Sequence, residues 1–157
     1  MIRVLFVCMG NICRSPMAEA VFQDMVDKAG LSDKIQVDSA GTGGWHTGET
    51  AHEGTLAVLK RHSIRYDGRA RQVTRADLNT FDYVLAMDRQ NFTFLQRMGM
   101  SARADVRMFL SYANDAGTAA ETDVPDPYYT GGFDHVYTLV QAGSAALLAH
   151  IRREYNL

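Results

Sequence analysis

Cysteine and proline are scarce in this chain of 157 residues, which contains two of the first and three of the second. Both cysteines lie within residues 7–16, so a disulfide framework is excluded, and such sparing use of cysteine is typical of reduced cytoplasmic proteins. The sequence also lacks an apolar run near the ~20 residues of a membrane span. Its first apolar residues lead directly into a motif, so we expect no signal peptide and a cytoplasmic protein that does not interact with membranes.

An excess of charge of one sign is also missing, because 16 Lys and Arg residues are set against 18 Asp and Glu residues, for a net charge of −2. This balance argues against nucleic acid or a membrane surface as the partner. One basic stretch is interpreted as a solvated face or, alternatively, as a surface for an anionic partner: Lys60, Arg61, Arg65, Arg69, Arg71 and Arg75. The length and the hydrophobic content of 46% predict one domain over residues 1–157.

Short apolar runs alternate with amphipathic segments along the chain. Four runs predict buried strands: residues 2–7, a run marked by Ile35 and Val37, residues 81–87 and residues 104–110. Helices are predicted from Pro16, through Leu56 and Leu59, from a capping box at 74–77, after Asp88, and along a stripe of Val136, Val140, Leu147 and Ile151. Residues 111–130 are predicted as a polar loop. This alternation predicts an α/β fold, a three-layer α/β/α domain with a four-stranded parallel sheet.

The segment "CMGNICRSP", residues 8–16, separates the first predicted strand from the first predicted helix. Ser15 is expected to cap that helix and Pro16 to begin it. Ligands of such folds bind at the carboxyl ends of the strands, and a glycine-containing loop at a helix N-terminus presents N–H groups that suit phosphate. The segment lacks the glycines of the dinucleotide fingerprint and the Lys-Ser/Thr pair of the nucleotide P-loop. We therefore predict a different phosphate-binding loop after the first strand.

Cys8 and Arg14 give this loop a thiol and a guanidinium. Arginine grips two phosphoryl oxygens in a planar fork, and a thiolate that faces the same cradle is a nucleophile for phosphoryl transfer. A zinc site is disfavoured because the two cysteines have no second ligand pair at zinc spacing. The five histidines are scattered, so we interpret each as structural or surface. A buried structural cysteine would not explain the Cys-x5-Arg-Ser pattern, whereas a non-catalytic phosphate-binding module remains an alternative.

The stretch "VCMGNICRSPMAEAVF" resembles the signature of the low-molecular-weight protein tyrosine phosphatases, and "VDSAGTGGWHTGE", "RARQVT", "FDYVLAMD" and "DPYY" resemble further family segments in the same order. The resemblance implies hydrolysis of phosphotyrosine and aryl phosphates through a phosphocysteine intermediate, without a metal or organic cofactor. It implies phosphotyrosine-containing proteins as partners and a monomer or weak homodimer. Arsenate reductases of one kind share this fold and loop, but their relay uses two further cysteines, and no cysteine follows Cys13.

The resemblance also implies roles for individual residues. Cys8 would be the nucleophile, Arg14 would bind the phosphoryl oxygens, and Asp126 in "DPYY" would be the general acid. Independently, expelling tyrosine, with a pKa near ~10, requires a proton donor at neutral pH. Asp126 could instead be only a turn residue before Pro127, and the neighbouring Asp123 is the alternative carboxylate.

The remaining predicted site residues surround these three. The substrate-binding residues are expected to be Met9, Gly10, Asn11, Ile12, Cys13, Ser15, Trp45, Tyr128 and Tyr129, with Ser39 supporting the loop. Ser15 would donate its hydroxyl to the Cys8 thiolate, and the three aromatic residues would form a wall, although surface packing is an equal interpretation for Trp45. Many family members carry histidine where this chain has Gly68, which leaves the supporting hydrogen bonds open. Because Cys13 shares a curled loop with Cys8, we expect peroxide to drive a disulfide between them.

Overall fold

The computed structural model describes residues 1–99 and 103–157. Within these residues, four strands form one sheet in the order β2-β1-β3-β4, and each neighbouring pair is parallel. The strands are β1 (Ile2–Cys8), β2 (Ile35–Gly41), β3 (Tyr83–Ala86) and β4 (Asp105–Met108). After β1, the chain places β2 on one side of it and then β3 and β4 on the other side. The strand order therefore reverses at β1.

The same described residues form seven helices: α1 (Arg14–Lys28), α2 (Glu53–Arg61), α3 (Arg75–Thr80), α4 (Arg89–Gly99), α5 (Ser111–Ala116), α6 (Pro127–Thr130) and α7 (Phe133–Tyr155). Two of them correct the prediction of a polar loop over residues 111–130. With six and four residues, α5 and α6 are too short to show an amphipathic period. In the part of the chain that the structure describes, no helix has the length and apolar character needed to cross a membrane.

Three predicted boundaries are wrong for physical reasons. Helix α1 begins before Pro16, and its N-cap is Cys13 without a side-chain bond, so Ser15 does not cap it. The predicted strands over 81–87 and 104–110 are longer than β3 and β4. Their flanking apolar residues, such as Phe81 and Leu110, are buried at helix ends instead. An apolar run reports burial, whereas strand bounds depend on ladder hydrogen bonds.

Helices cover both faces of the sheet. On one face, Val4 and Phe6 of β1 pack in a core with residues of α1, α2, α5 and α7. The Phe6 ring meets Phe109 edge to face, with ring centroids 5.3 Å apart. On the other face, alternate β1 residues such as Leu5 pack with α3 and α4. The predicted α/β/α architecture with a four-stranded parallel sheet is therefore confirmed.

This topology places the "CMGNICRSP" segment where it is expected, at the carboxyl ends of the strands. Ligands of open parallel sheets bind outside the carboxyl ends of the strands, where the strand order reverses. Cys8 ends the central strand β1, beside Gly41 at the end of β2. The segment that follows β3 lies on its other side, since Met87 donates its backbone N–H to the Val7 carbonyl. Three loops thus meet at one point.

Candidate active site

The Cys8 thiol lies at the carboxyl end of β1 and is buried. Its Sγ lies 3.0 Å from the hydroxyl oxygen of Ser15 and accepts the backbone N–H of Asn11 at 3.3 Å. The Ser15 oxygen itself accepts an amide hydrogen from Asn11 at 2.8 Å, so the Ser15 proton is directed at the sulfur. Hydrogen bonds from two donors stabilise negative charge on a buried atom. Both donors are therefore placed to stabilise negative charge on the sulfur of Cys8 during a reaction.

Asn11 holds the curl of the loop. Its φ of 57° lies in the left-handed region, which asparagine tolerates better than most residues. Its amide donates to the hydroxyls of Ser15 and Ser39 at 2.8 and 2.9 Å, and its carbonyl oxygen accepts the backbone N–H of Arg71 at 3.0 Å. These three hydrogen bonds, two of them fully buried, hold the Asn11 side chain in place.

Several peptide groups of the loop are oriented by the β2–α2 segment. The carbonyls of Cys8, Met9 and Ile12 accept backbone N–H groups of residues 42, 43 and 52 at 2.8, 3.0 and 2.7 Å. In a trans peptide the N–H points opposite to the carbonyl. The N–H groups that follow these three carbonyls therefore point away from that segment. An anion held against them would be bound by backbone dipoles.

Arg14 begins α1, and its side chain is only 3% exposed. Its Nη1 donates to Asp88 Oδ2 at 2.6 Å and to the Val124 carbonyl at 3.0 Å, while Nη2 lies 3.6 Å from Asp126 Oδ2. Burial alone would lower the pKa of Arg14, but the negative charges of Cys8, Asp88 and Asp126 outweigh it and raise that pKa. The guanidinium therefore stays charged and oriented.

Asp88 was predicted only to cap a helix, and it also orients Arg14. Its Oδ1 accepts the backbone N–H of Asn91 at 2.8 Å in the first turn of α4, while its Oδ2 binds Arg14. The sequence carried a signal for the first contact, because an aspartate precedes a helix. It carried none for the second, which depends on the parallel pairing of β1 with β3.

Asp126 and Asp123 differ in their surroundings. Asp126 is the N-cap of α6, where its Oδ1 accepts the backbone N–H of Tyr128 at 3.1 Å, and its Oδ2 faces Arg14. Asp123 accepts the backbone N–H of Arg89 at 3.1 Å. Asp126 therefore meets both interpretations at once, as a turn residue before proline and as a carboxylate beside the guanidinium.

A cavity of about 320 Å³ opens above the loop. Its lining contains most of the predicted site residues together with one histidine: Cys8, Met9, Gly10, Ile12, Cys13, Arg14, Trp45, His46, Asp126, Tyr128 and Tyr129. The side chains of Trp45 and Tyr129 are 72% and 80% exposed, so the aromatic wall stands at the mouth. The predicted substrate-binding residues Asn11 and Ser15 are buried beneath the loop together with Ser39 and do not line the cavity.

His46 was interpreted from the sequence, like the other histidines, as structural or surface, and that interpretation stays a prediction. His46 lines the cavity, and its Nδ1 lies 2.9 Å from Glu49 Oε2. His52 fits the structural interpretation, because its Nδ1 accepts the backbone N–H of Gly54 at 2.9 Å and its ring stacks on Phe133. A lone histidine in a glycine-rich loop gave no periodic signal that would separate the two.

One residue of the basic stretch, Arg71, supports the loop. The Arg71 guanidinium lies 3.0 Å from carboxylate oxygens of both Asp38 and Asp77, and its backbone N–H binds Asn11. Arg71 therefore has a structural role in addition to its exposure, since its side chain is 33% exposed. Elsewhere in the stretch, Arg61 pairs with Asp134 of α7.

The surroundings of the cavity supply organic and backbone groups for an anion. Across residues 1–99 and 103–157, no three or more His, Cys, Asp or Glu side chains are grouped so that they could hold a metal ion. The guanidinium of Arg14 and the loop amides are the groups oriented to bind a phosphoryl group. With the thiol of Cys8 and the carboxylate of Asp126, they make a set suited to phosphoryl transfer.

Comparison with known families agrees with this geometry. The model of the family described as low molecular weight phosphotyrosine protein phosphatase matches residues 3–157. The chain belongs to this family. The resemblance drawn from the sequence is therefore confirmed, over almost the full length of the chain.

Individual members of the phosphatase family are similar to this chain along its whole length. The low molecular weight protein-tyrosine-phosphatase YfkJ of Bacillus subtilis is 52% identical over 159 residues, covering 100% of both chains. Its crystal structure has a TM-score of 0.93 and covers 98% of this chain and 96% of the other at 51% identity. A low molecular weight protein-tyrosine-phosphatase of Streptomyces coelicolor is 47% identical, covering 97% of this chain and 94% of the relative. The predicted enzyme class, a protein-tyrosine-phosphatase, is confirmed.

One further solved relative differs in its described activity. The structure of a drosophila arginine phosphatase is 32% identical, with a TM-score of 0.87, and covers 95% of this chain and 97% of the other. A solved structure similar to this chain is thus named for a different phosphorylated side chain. These matches do not favour the arsenate reductase alternative.

Replacing Asp88 should weaken catalysis through Arg14. Asp88→Asn keeps an oxygen for the N–H of Asn91, but its NH₂ group then faces the Arg14 guanidinium, so two donors oppose each other. Because Arg14 loses a charged acceptor, we expect kcat/KM on an aryl phosphate to fall about 10- to 100-fold. Asp88→Ala also removes the helix cap, so urea titration should give it a free energy of unfolding about 1 kcal/mol below that of Asp88→Asn. Wild-type kcat/KM in both variants would show that Arg14 is oriented without Asp88.

Proposed function

We propose that this protein is a cytoplasmic single-domain phosphatase that hydrolyses phosphotyrosine in proteins, with Cys8 as the nucleophile. The observation that carries the proposal is the convergence of three groups on one cavity: the Cys8 sulfur, the buried Arg14 guanidinium and the Asp126 carboxylate. A module that only binds phosphate has no use for a thiol held by two hydrogen-bond donors. The family membership supports the same reaction.

In the first step, the Cys8 thiolate attacks phosphorus and the bond to the tyrosine oxygen breaks. Arg14 and the loop N–H groups bind the phosphoryl oxygens, and their positions favour the charge that develops in the transition state. Asp126, in its protonated form, gives its proton to the departing phenolate, whose conjugate acid has a pKa near ~10. The products of this step are the phenol and phosphocysteine.

In the second step, water attacks the phosphocysteine. The Asp126 carboxylate now accepts a proton from that water, so the same residue serves first as an acid and then as a base. The Cys8 thiolate leaves, and Ser15 and the Asn11 N–H stabilise its returning negative charge. Inorganic phosphate is released, and Asp126 is again protonated for the next cycle.

The cavity supports an aromatic substrate. Ile12 and Met9 contribute apolar surface to its lining, and Trp45, Tyr128 and Tyr129 form an aromatic wall at its mouth. Such a wall would contact the ring of phosphotyrosine, whereas phosphoserine is too short to bring its phosphate to the loop. Because one relative is named an arginine phosphatase, phosphoarginine is the informative competitor.

The proposal is tested by hydrolysis of three peptides that differ only in the phosphorylated residue: tyrosine, serine or arginine. With EDTA present, wild-type protein should hydrolyse the phosphotyrosine peptide with the highest kcat/KM, and Cys8→Ser should hydrolyse none. Rapid quenching of the wild-type reaction should trap phosphate on Cys8. Full activity in Cys8→Ser would overturn the proposed nucleophile, and a higher kcat/KM on phosphoarginine would overturn the proposed substrate.

Asp126→Asn should identify the general acid. Asparagine keeps the size and the cap of α6 but cannot donate a suitable proton, so kcat on phosphotyrosine should fall about 10²- to 10⁴-fold. The loss should be smaller on nitrophenyl phosphate, whose leaving group departs readily as an anion. Because the reaction requires the protonated acid, kcat/KM of the wild type should decline at high pH, and in Asp126→Asn this decline should flatten.

Asp123→Asn is the matched control, because its carboxylate binds the N–H of Arg89 and not Arg14. It should change neither the leaving-group dependence nor the pH profile. If Asp123→Asn shows the leaving-group dependence and Asp126→Asn does not, the assignment of the acid is wrong.

We also propose that Cys13 protects the nucleophile from over-oxidation. Peroxide would convert the Cys8 thiolate to a sulfenic acid with release of hydroxide, and the Cys13 thiol would then displace water from it to form a disulfide. Burial, with the negative charges of Cys8 and Asp126, raises the pKa of Cys13 to about 12. At neutral pH Cys13 is therefore almost entirely a thiol. Its attack on the sulfenic acid of Cys8 is slow and becomes faster as the pH rises.

Peroxide inactivation tests this proposal. Dithiothreitol should restore wild-type activity after a peroxide pulse, and the restored fraction should grow with the pH of the pulse. Cys13→Ser should recover less activity, with no such growth. Equal recovery in the two proteins at every pH would mean that Cys13 only fills space beside Arg14.

A further inference from the structure

Tyr66 occupies the space beside Gly68. A Cβ atom added at Gly68 would lie 2.3 Å from the Tyr66 hydroxyl oxygen and 2.5 Å from its ring carbon Cζ. Contacts this short do not occur between real atoms, so a side chain at 68 and the present position of Tyr66 exclude one another. The half-buried Tyr66 side chain therefore places its hydroxyl behind the loop, in the space that a side chain at position 68 would occupy.

That hydroxyl donates to Glu19, a half-buried residue of α1. Tyr66 Oη lies 2.8 Å from Glu19 Oε1, and the Ser39 hydroxyl donates to the same oxygen at 2.6 Å. Burial raises the pKa of Tyr66, and the charge of Glu19 raises it further, so the phenol keeps its proton at neutral pH. Burial raises the pKa of the Glu19 carboxyl, and the hydrogen bonds from Ser39 and Tyr66 oppose that rise, so two donors converge on one Glu19 oxygen.

The direction of every following hydrogen bond is then determined. The single proton of Ser39 goes to Glu19, so the Ser39 oxygen can only accept, and it accepts from Asn11 at 2.9 Å. The second amide hydrogen of Asn11 goes to Ser15. The oxygen of Ser15 is thereby used as an acceptor, and its own proton is left for the sulfur of Cys8.

Donation in the opposite direction along this series of hydrogen bonds is blocked at Asn11. If the Asn11 amide were rotated by half a turn, its NH₂ group would face the backbone N–H of Arg71, which now donates to its oxygen at 3.0 Å. Two donors would then face each other in a buried place. The same direction of donation is therefore favoured by Glu19 and Tyr66 at one end of the series and by Arg71 at its centre.

We propose that Tyr66 is a positioning residue which, through Glu19 and Ser39, fixes the Ser15 proton toward Cys8. The inference rests on the proposed function, because only a reaction that uses a Cys8 thiolate needs the Ser15 proton directed at the sulfur. Tyr66 touches neither the substrate nor the reacting atoms. Its effect reaches the sulfur through five hydrogen bonds whose donors and acceptors are all side chains of the described residues.

Tyr66→Phe removes only the hydroxyl and keeps the ring beside Gly68. We expect kcat on an aryl phosphate to fall about 3- to 10-fold, the size of one net hydrogen bond. KM should change less than twofold, because the cavity is untouched. Alkylation of Cys8 by iodoacetamide, which reports the thiolate, should require higher pH. Tyr137→Phe, which removes the hydroxyl of a half-buried tyrosine stacked on His62, is the matched control and should match wild type.

Two further variants show whether the effect passes along the chain of hydrogen bonds. Glu19→Gln should displace the alkylation profile in the same direction as Tyr66→Phe, and it provides the test if Tyr66→Phe fails to fold. In a Ser15→Ala background, Tyr66→Phe should leave the alkylation profile unchanged, because the group that transmits its effect is gone.

The outcomes separate this inference from the proposed function. Wild-type kcat and alkylation profiles in Tyr66→Phe, with Cys8→Ser inactive, would overturn the positioning role alone. A lowered Tm with a normal profile would assign Tyr66 to stability and likewise overturn it. An effect of Tyr66→Phe that persists in full without Ser15 would also overturn it. Activity in Cys8→Ser would overturn the proposed function itself.

Discussion

The buried amide of Asn11 is the contact on which the rest of the site depends. A left-handed conformation costs a non-glycine residue roughly 1–2 kcal/mol, and each net hydrogen bond returns about 1 kcal/mol. The three hydrogen bonds of the Asn11 side chain therefore outweigh the strain of its backbone. Without that conformation the loop would not curl between β1 and α1. Neither the sulfur of Cys8 nor the guanidinium of Arg14 would then face the cavity.

A buried guanidinium imposes the second constraint. Removing a charge from water is costly unless partners replace the lost solvation. Arg14 obtains those partners from Asp88, from the Val124 carbonyl and from Asp126. Two carboxylates thus already face this one cation, and a phosphate dianion adds further negative charge at the same place. Substrate binding therefore sets the phosphate in competition with these carboxylates for one fixed cation.

The sequence predicted what local pattern and covalent order encode. The apolar run that ends at Cys8 predicted a buried strand, and the spacing of Cys8 and Arg14 predicted an anion-binding thiol at a helix start. It did not predict that Asp88 binds Arg14, or that Tyr66 fills the space beside Gly68. Both contacts join segments that only the folded sheet brings together, and neither leaves a periodic or composition signal. The short helices α5 and α6 were missed because so few residues show no period.

The order of the elements has a consequence for the newly made chain. Arg14 is bonded to a carbonyl 110 positions later in the sequence, and Asp126 lies beyond that carbonyl. At about 5–20 residues per second of synthesis, the thiol emerges roughly 10 s before its acid. During that interval the nascent chain holds an incomplete site, with Cys8 present and Asp126 absent. Biosynthesis thus keeps the nucleophile without its acid until the segment that follows the last strand, β4, has been made.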